Sequence, residues 1–269
     1  MTFSKRVLLA MLGFIAVVSV VLAARADEVI RRDELRDVLI RNGVDGAFAG
    51  YDVASARLFL VNGPRAQKRI NPASTFKIAN SLIALETGVV KDENEIIPYR
   101  SDSPPLIKEW ARDMSMRDAI KLSNVPIYQV LARRIGIERY REWLGRLSYG
   151  NAETGVVVDR FWLDGPLAIS AVEETRFVAA LAQRKLPMSV RSQEIVRDIL
   201  KYETVEDGAI FAKTGWCRSC QPQIGWWVGW VEHREGVFAF ALNIDIVSPN
   251  DLDKRVSIAK ELLSKLGVI

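Results

Sequence analysis

Residues 209–246 read AIFAKTGWCRSCQPQIGWWVGWVEHREGVFAFALNIDI, and the order of apolar and polar segments in this stretch decides the fold. Three apolar runs, Ala209–Trp216, Ile224–Val231 and Val237–Ile246, are rich in aromatic and β-branched residues and are separated by short polar segments. Runs of this kind between turn residues predict β-strands. Strands joined by such short connections must be antiparallel, so the C-terminal third predicts an antiparallel sheet.

Strands near the N-terminus and helices in between complete the predicted fold. Asp45–Val53 and Arg57–Asn62 alternate apolar and polar residues, which predicts a hairpin that joins the same sheet. Apolar residues at helical spacing predict helices over Ser74–Gly88, Ile107–Ser123, Ile127–Ile135, Glu138–Leu147, Ser170–Gln183, Ser192–Tyr202 and Asp253–Leu266. Residues 148–169 predict a long structured loop. We therefore expect an α+β fold in one domain, residues 27–269, with an antiparallel sheet flanked by helices and a helical lobe inserted at about residues 75–200.

The first 26 residues are typical of an export signal. Lys5 and Arg6 precede the uncharged run Val7–Ala24, and Ala24-Arg-Ala26 has the small-x-small pattern of a cleavage site. An uncleaved anchor is the alternative, because 18 residues is the lower limit for spanning a bilayer. Cleavage predicts a periplasmic protein in a Gram-negative host, without stable membrane association.

The charge balance argues against a nucleic-acid partner. The 269 residues include 37 Lys and Arg and 33 Asp and Glu, for a net charge of +4. Three of the basic residues lie in the signal segment, so the remainder is nearly neutral. A nucleic-acid-binding protein needs a basic surplus or a basic run, and the mature chain has neither.

The inventory of reactive side chains excludes several kinds of enzyme. The single histidine, His233, lies in a charged segment between two predicted strands, where we expect an exposed turn. A Ser-His-Asp triad would depend on that one residue. A zinc site is also disfavoured, because the chain offers one His and two Cys, so we expect no metal. A catalytic base, if there is one, must be something other than histidine.

The segment Ser74-Thr-Phe-Lys77 is the first candidate for chemistry. A Ser and a Lys three residues apart on a helix share one face and can touch. Ser74 lies at the helix start, where free N–H groups favour negative charge. Lys77 can act as a base only if its pKa falls or its nitrogen is modified. Taken alone the motif is equally compatible with a helix start and a solvated lysine.

The segment Lys213-Thr214-Gly215 lies on a predicted strand and is the second candidate. Lys213 is suited to hold an anionic group or to tune a nearby proton path, and a strand glycine often marks close approach of another backbone or a ligand. A helix S-x-x-K followed by a strand K-T-G is typical of penicillin-recognising serine acyltransferases.

Three more segments make the pattern specific. Ser123-Asn-Val125 stands just before Pro126, Tyr149-Gly-Asn151 opens the long loop, and Phe161-Trp-Leu163 follows within it. With S-x-x-K and K-T-G, these segments in this order resemble the class D, or oxacillinase-type, serine β-lactamases. The resemblance runs from about Gly46 to the C-terminus. It implies the fold shared by serine β-lactamases and penicillin-binding transpeptidases.

The resemblance implies a mechanism centred on two residues. Ser74 would be acylated by a small-molecule β-lactam substrate. Lys77 would be carbamylated to N6-carboxylysine and would act as general base in acylation and deacylation. Carbon dioxide or bicarbonate is then required, and no other cofactor is expected. Trp162 would hold the carbamate through its indole N–H, although core packing is the alternative role of such a residue.

The remaining site residues follow from the same resemblance. Ser123 would pass a proton to the leaving nitrogen, or else merely end a helix, and Val125 would shield Lys77 from water. The substrate carboxylate would be bound by Lys213 and Thr214, with Arg255 from the C-terminal helix, a position where an arginine is otherwise usually solvated. Gly215-Trp216 would pass backbone close to the acyl group, and the N–H groups of Ser74 and Trp216 would form the oxyanion hole.

Cys217 and Cys220 follow the K-T-G strand directly and are less usual for the family. A C-x-x-C segment is compatible with a redox pair, half of a metal site or a local disulfide. An oxidising compartment favours the disulfide.

Two other functions share the motif order. One is a β-lactam sensor domain that is acylated without turnover, and the other is a D,D-peptidase acting on peptidoglycan. The sequence makes no prediction about oligomeric state or about preference among β-lactams.

Overall fold

The computed structural model describes residues 27–101, 104–234 and 236–269. The predicted signal peptide, residues 1–26, lies outside the described residues. In the described ranges no helix is long and apolar enough to cross a membrane.

A seven-stranded sheet forms the centre of the fold. The strands in the described residues are β1 (Glu28–Arg31), β2 (Gly46–Asp52), β3 (Arg57–Val61), β4 (Ile96–Ile97), β5 (Met114–Ser115), β6 (Lys201–Val205), β7 (Gly208–Cys217), β8 (Gln223–His233) and β9 (Gly236–Ile246). The large sheet has the order β1-β3-β2-β9-β8-β7-β6, and β4 and β5 form a separate ribbon. Neighbours are antiparallel except at one edge, where β1 runs parallel to β3. The predicted α+β fold with an antiparallel sheet is confirmed, apart from that edge strand.

Helices cover both faces of the sheet. They are α1 (Arg36–Arg41), α2 (Gly63–Ala66), α3 (Lys77–Glu86), α4 (Met116–Lys121), α5 (Val125–Ile135), α6 (Ile137–Arg146), α7 (Ala171–Ala182), α8 (Val190–Ile199) and α9 (Asp251–Lys265). A 3-10 turn, Ala73–Phe76, leads directly into α3. Residues 148–169, all described, contain turns but no helix or strand, as predicted.

Strand β8 separates two hydrophobic cores. Side chains alternate across a strand, so Trp226 and Trp230 pack into the core on the side of α3, α5 and α7, while Trp227 packs into the core on the side of α1 and α9. All three indoles are fully buried. Residues placed on β7 are therefore held between two packed layers.

The single helix predicted over Ile107–Ser123 is wrong. The segment contains a short 3-10 turn at Lys108–Trp110, then β5, and only then α4. Ser115 is the reason, because its side chain accepts a hydrogen bond from the Asp118 N–H and starts a new helix there. The tryptophan indole of Trp110 ties the turn to the Leu122 carbonyl.

The helix predicted over Ser192–Tyr202 is partly wrong, since α8 begins earlier and ends at Ile199. Ser189 caps its start by accepting from the Ser192 N–H. Tyr202 belongs instead to the edge strand β6, which pairs with β7. Edge strands such as β1 and β6 are stabilised mainly by pairing with a partner distant in sequence, so the local pattern gives them little signal.

His233 is half-buried rather than exposed in a turn. It is the last residue of β8 and still pairs with Gly236. The turn between β8 and β9 is therefore shorter than the sequence predicts.

Candidate active site

Ser74 lies in the 3-10 turn that precedes α3. The residue before it, Ala73, has a φ of +48°, in the left-handed region that non-glycine residues rarely adopt. Asn71 supports this conformation, because its side-chain oxygen accepts a hydrogen bond from the Ala73 N–H at 2.9 Å. Strain of this kind persists only where the surroundings enforce it, and it often accompanies functional sites. The turn presents a half-buried Ser74 at the start of a buried helix.

Lys77 is fully buried directly behind Ser74. Its Nζ lies 2.8 Å from Ser74 Oγ, in hydrogen-bond contact, and 5.3 Å from the centre of the Tyr128 ring. Burial lowers the pKa of the Lys77 ammonium well below its ordinary value, and the nearby charge of Lys213 lowers it further. A neutral amine at this position can accept the hydroxyl proton of Ser74, which a solvated lysine could not do.

Ser123 and Lys213 form a second contact across the site. Ser123 connects α4 to α5 with a φ of +54°, another non-glycine residue in the left-handed region. Lys213, buried on β7, donates to Ser123 Oγ at 3.0 Å and to the Thr214 carbonyl at 2.9 Å. Burial lowers the pKa of Lys213 to about 7, with a further contribution from the charge of Arg255. Ser123 therefore follows α4 and also contacts Lys213 of the K-T-G segment.

Gly215 brings β7 against the 3-10 turn that carries Ser74. A Cβ at this position would lie 3.0 Å from the Pro72 carbonyl oxygen and 3.1 Å from Thr75 Cγ2. The absence of a side chain thus allows the strand to pass beside the turn that carries Ser74. Trp216 follows, half-buried, with its indole donating to Gln223 Oε1 at 2.9 Å.

Arg255 reaches the same strand from α9. It is half-buried, and its guanidinium donates to the Gly215 carbonyl at 2.8 Å. Burial lowers its pKa. A Cβ on Gly225 would lie 2.7 Å from Arg255 Cδ, so the glycine leaves the space that the arginine stem occupies. The structure therefore brings Arg255 to the K-T-G segment rather than leaving it solvated.

Trp162 is fully buried next to Phe76, the residue before Lys77. Its ring centre lies 5.4 Å from that of Phe76 and 5.0 Å from that of Phe161. The indole Nε1 is buried and has no hydrogen-bond partner among the described residues. Trp162 therefore packs in the core and also carries an N–H donor without an acceptor among the described residues. Val125, half-buried at the first position of α5, lies one turn before the Tyr128 that faces Lys77.

Comparison with known proteins agrees with this arrangement. Residues 48–264 match the penicillin-binding protein transpeptidase domain. Beta-lactamase OXA-48 of Klebsiella pneumoniae is 44% identical over 211 residues, which cover 78% of this chain and 79% of that protein. Beta-lactamase OXA-10 of Pseudomonas aeruginosa is 38% identical, covering 84% of this chain and 86% of that protein. The chain belongs to the class D serine β-lactamase family.

Solved structures support the same assignment. The class D β-lactamase FUS-1 (OXA-85) of Fusobacterium nucleatum subsp. polymorphum superimposes with a TM-score of 0.86 at 41% identity, covering 89% of this chain and all of that one. The class D β-lactamase YbXI of Nostoc gives 0.84 at 37% identity, covering 87% and 99%.

Cys217 and Cys220 are joined by a disulfide bond in this β-lactamase. The loop that they close lies beside the long loop of residues 148–169, because Ser219 Oγ donates to the Leu163 carbonyl at 2.7 Å. Leu163 is adjacent to Trp162. The disulfide-closed loop is thus connected to the segment that positions the buried indole.

The sequence did not indicate Glu174, a fully buried carboxyl group near the 3-10 turn that carries Ser74. Its Oε1 lies 2.7 Å from Thr75 Oγ1 and 3.0 Å from the Tyr149 hydroxyl. Burial raises the pKa of Glu174 to about 7. One feature of the sequence could have indicated this residue, because Glu174 lies on the same face of α7 as the apolar residues Phe177, Val178 and Leu181. Through Glu174, Tyr149 therefore links the long loop to the 3-10 turn.

Proposed function

We propose that this class D β-lactamase hydrolyses the β-lactam ring of antibiotics through an acyl-enzyme on Ser74. The contact between Ser74 Oγ and the fully buried Lys77 Nζ, 2.8 Å long, carries the proposal. Among the described residues Lys77 makes no ion pair, so no carboxylate offsets the cost of burying its charge. A serine beside a base of lowered pKa is the arrangement that activates a nucleophile.

Acylation uses the residues that line the site. Ser74 Oγ attacks the β-lactam carbonyl while its proton passes to the base at Lys77, and the C–N bond of the ring then breaks. Ser123, hydrogen-bonded to Lys213, gives a proton to the departing nitrogen and is reprotonated through the same contact. The backbone N–H groups of Ser74 and Trp216 are the proposed oxyanion hole.

The substrate carboxylate is assigned to the cationic side of the site. Lys213 and Arg255 both contact the K-T-G segment, at the Thr214 and Gly215 carbonyls respectively. Thr214 adds a hydroxyl 3.4 Å from Lys213 Nζ. A carboxylate bound between these groups would be held by charge-assisted hydrogen bonds.

The residues around Lys77 fit a lysine carbamate. Carbamate formation needs a neutral amine, and burial favours that state in Lys77. The indole N–H of Trp162 is a buried donor without an acceptor among the described residues. A carbamate oxygen on Lys77 would supply that acceptor. When formed from carbon dioxide, the carbamate supplies an anionic oxygen base that can activate the water for deacylation. Val125 and Tyr128 limit the access of other water to this position.

Export completes the proposal. The signal segment of residues 1–26 supports delivery to the periplasm, the compartment in which the disulfide of Cys217 and Cys220 is stable. Mass spectrometry of protein from the periplasmic fraction tests this, and a mature chain that retains residues 1–26 would contradict it.

The test follows hydrolysis of a chromogenic cephalosporin through the burst and the steady state, with and without added bicarbonate. We expect steady turnover that bicarbonate raises and that Lys77→Ala abolishes. Lys121→Ala, which removes an exposed lysine from α4, is the matched control and should turn over normally. A single stoichiometric burst without turnover would instead assign a sensor, and cleavage of D-Ala-D-Ala peptides would assign a peptidase.

A further inference from the structure

Glu174 is a buried ionisable group that the proposed reaction does not use. It lies on α7 with no exposed surface, and it contacts two segments distant in sequence. One is the 3-10 turn Ala73–Phe76, through Thr75, and the other is the long loop, through Tyr149. We call this turn the nucleophile turn, because it carries the proposed nucleophile Ser74. A carboxyl group in such a position is costly unless its hydrogen bonds are complete.

The two contacts of the Thr75 hydroxyl, with Pro72 and Glu174, require one more proton than the hydroxyl and an ionised Glu174 can supply. Thr75 Oγ1 lies 2.9 Å from the Pro72 carbonyl oxygen and 2.7 Å from Glu174 Oε1. Both of these atoms are acceptors when Glu174 is ionised, and a hydroxyl has a single proton to donate. Both contacts are satisfied together only if the carboxylic acid donates to Thr75 while Thr75 donates to Pro72.

The rest of the surroundings favour the same protonation state. The Tyr149 hydroxyl donates to Glu174 Oε1, and Oε2 is buried without a protein donor among the described residues. A neutral carbonyl oxygen tolerates that situation far better than an anionic oxygen does. Burial also raises the pKa of Glu174 to about 7.

Within the part of the chain that the structure describes, no cation pairs with Glu174. Two titratable groups act on it, Tyr149 from the loop and Glu173 on the same helix, and the charge of Glu173 is paired with Arg69. Strands β2, β8 and β9 and helix α8 also pack against α7. In the described residues no charged side chain from these elements hydrogen-bonds or pairs with Glu174.

Thr75 transmits the position of Glu174 to the nucleophile. It follows Ser74 directly, and its N–H also donates to the Pro72 carbonyl, at 3.1 Å. The Pro72 carbonyl and the Thr75 methyl are the atoms against which Gly215 of β7 packs. These contacts fix the turn relative to the strand, and so they fix the Ser74 N–H relative to the Trp216 N–H.

We propose that Glu174 is a positioning residue for the nucleophile turn: its protonated carboxyl group donates to Thr75, which frees the Thr75 hydroxyl to hold the Pro72 carbonyl. This inference rests on the proposed role of Ser74 as the nucleophile. Ionisation of Glu174 forces Thr75 to give up one of its two contacts, and the turn that carries Ser74 loses part of its support.

Two substitutions and one matched control test the proposal. Glu174→Gln retains an N–H donor that cannot ionise, Glu174→Leu retains the volume without a donor, and Glu173→Gln removes a charge from the adjacent position. Glutamine is also accepted in the capping box that Glu173 forms with Ser170. Each variant is compared with the wild type for the rate of Ser74 acylation between pH 5.5 and pH 9, and its folding is checked by circular dichroism.

The proposal predicts a definite order of acylation rates among the variants. At pH 6, Glu174→Gln should acylate within about 3-fold of the wild type, whereas Glu174→Leu should be slower by about 10-fold to 100-fold, the range for misplaced reacting groups. Above pH 7 the ratio of wild-type to Glu174→Gln rates should fall, because only the wild type ionises there. Lys77 and Lys213 are unchanged in the variant, so the ratio isolates Glu174. Glu173→Gln should acylate like the wild type at pH 6 and should keep the fall with pH, displaced to slightly lower pH because the charge of Glu173 no longer raises the pKa of Glu174.

Infrared difference spectroscopy of the wild type against Glu174→Gln gives a readout independent of activity. At pH 6 the difference should contain the carbonyl band of a protonated carboxylic acid. A carboxylate band at pH 6, or a pH-independent rate ratio, would overturn the proposal. If the wild type is not acylated on Ser74 at all, the proposed function fails, while the infrared band still decides the state of Glu174.

Discussion

The buried ammonium of Lys213 should make this β-lactamase more stable as the pH rises above neutrality. Its pKa falls from an ordinary value of 10.5 to about 7 in the folded protein, mainly through burial. Between these two values the unfolded chain binds a proton that the folded chain does not, so the free energy of unfolding must increase with pH in that window. Lys77 acts in the same direction, because burial lowers its pKa too.

The magnitude follows from the displacement of the Lys213 pKa. One unit corresponds to about 1.4 kcal/mol, so burying the Lys213 ammonium lowers the free energy of unfolding by about 5 kcal/mol below pH 7. Lys213→Met keeps the length of the side chain and removes the charge. The substitution also leaves Ser123 without its partner, which costs about 1 kcal/mol. We therefore expect the variant to be more stable than the wild type by about 3 to 4 kcal/mol at pH 6.

Urea denaturation at a series of pH values measures this difference directly. The advantage of Lys213→Met should shrink by about 3 kcal/mol between pH 7 and pH 9.5, since the wild type regains stability as Lys213 loses its proton. Groups outside the site titrate equally in both proteins and cancel in the comparison. Lys77 adds to the difference in the same direction, because its pKa is lowered less once the charge of Lys213 is gone. The variant should also hydrolyse penicillins poorly, because it is more stable but lacks the Lys213 charge that is proposed to bind the substrate carboxylate. Parallel stability curves over this pH range would refute the reasoning.

Three further predictions concern neighbouring parts of the site. Trp162→Phe keeps most of the ring packing but removes the buried donor, so steady-state turnover should fall by about 100-fold while the acylation burst persists. Stopped-flow kinetics measures both phases, and undiminished turnover would contradict the role of the indole. Gly225→Ala places a Cβ 2.7 Å from Arg255 Cδ and should raise KM for a penicillin by about 10-fold, whereas Gly145→Ala, whose Cβ meets nothing within 4 Å, should leave KM unchanged. Replacing both cysteines of the disulfide by serine should lower the free energy of unfolding by about 2 kcal/mol, and an unchanged denaturation midpoint would reject this.

The sequence predicts most of the fold because its strongest signals are local. The apolar runs of β7, β8 and β9 and the periodicity of α3 are long enough to define elements without their partners. The predictions fail where a single capping side chain or a pairing decides the structure. Ser115 breaks the expected helix over Ile107–Ser123, and β6 forms only because β7 is beside it.

The sequence predicts only part of the candidate site. The contacts of Ser74 with Lys77 and of Ser123 with Lys213 join motifs that the resemblance had already singled out. Glu174 is different, because its partners Thr75 and Tyr149 lie 99 and 25 residues away in the sequence. No local pattern brings these segments together, so only the packed structure shows that they form one network.

The electrostatics of the site favour an anionic ligand. Lys77 and Lys213 act on each other, Lys213 and Arg255 do the same, and in the described residues none of the three is paired with a carboxylate. Burial of these three groups beside one another therefore disfavours the charged forms of the lysines, and a ligand carboxylate beside Lys213 and Arg255 relieves that cost. Because that carboxylate would lie beside Lys213 and Arg255, it should raise the pKa of Lys213 and restore its charge. In the proposed mechanism, a protonated Lys213 beside Ser123 is the state that can deliver a proton to the departing nitrogen, so binding of the substrate would prepare the step that opens the ring.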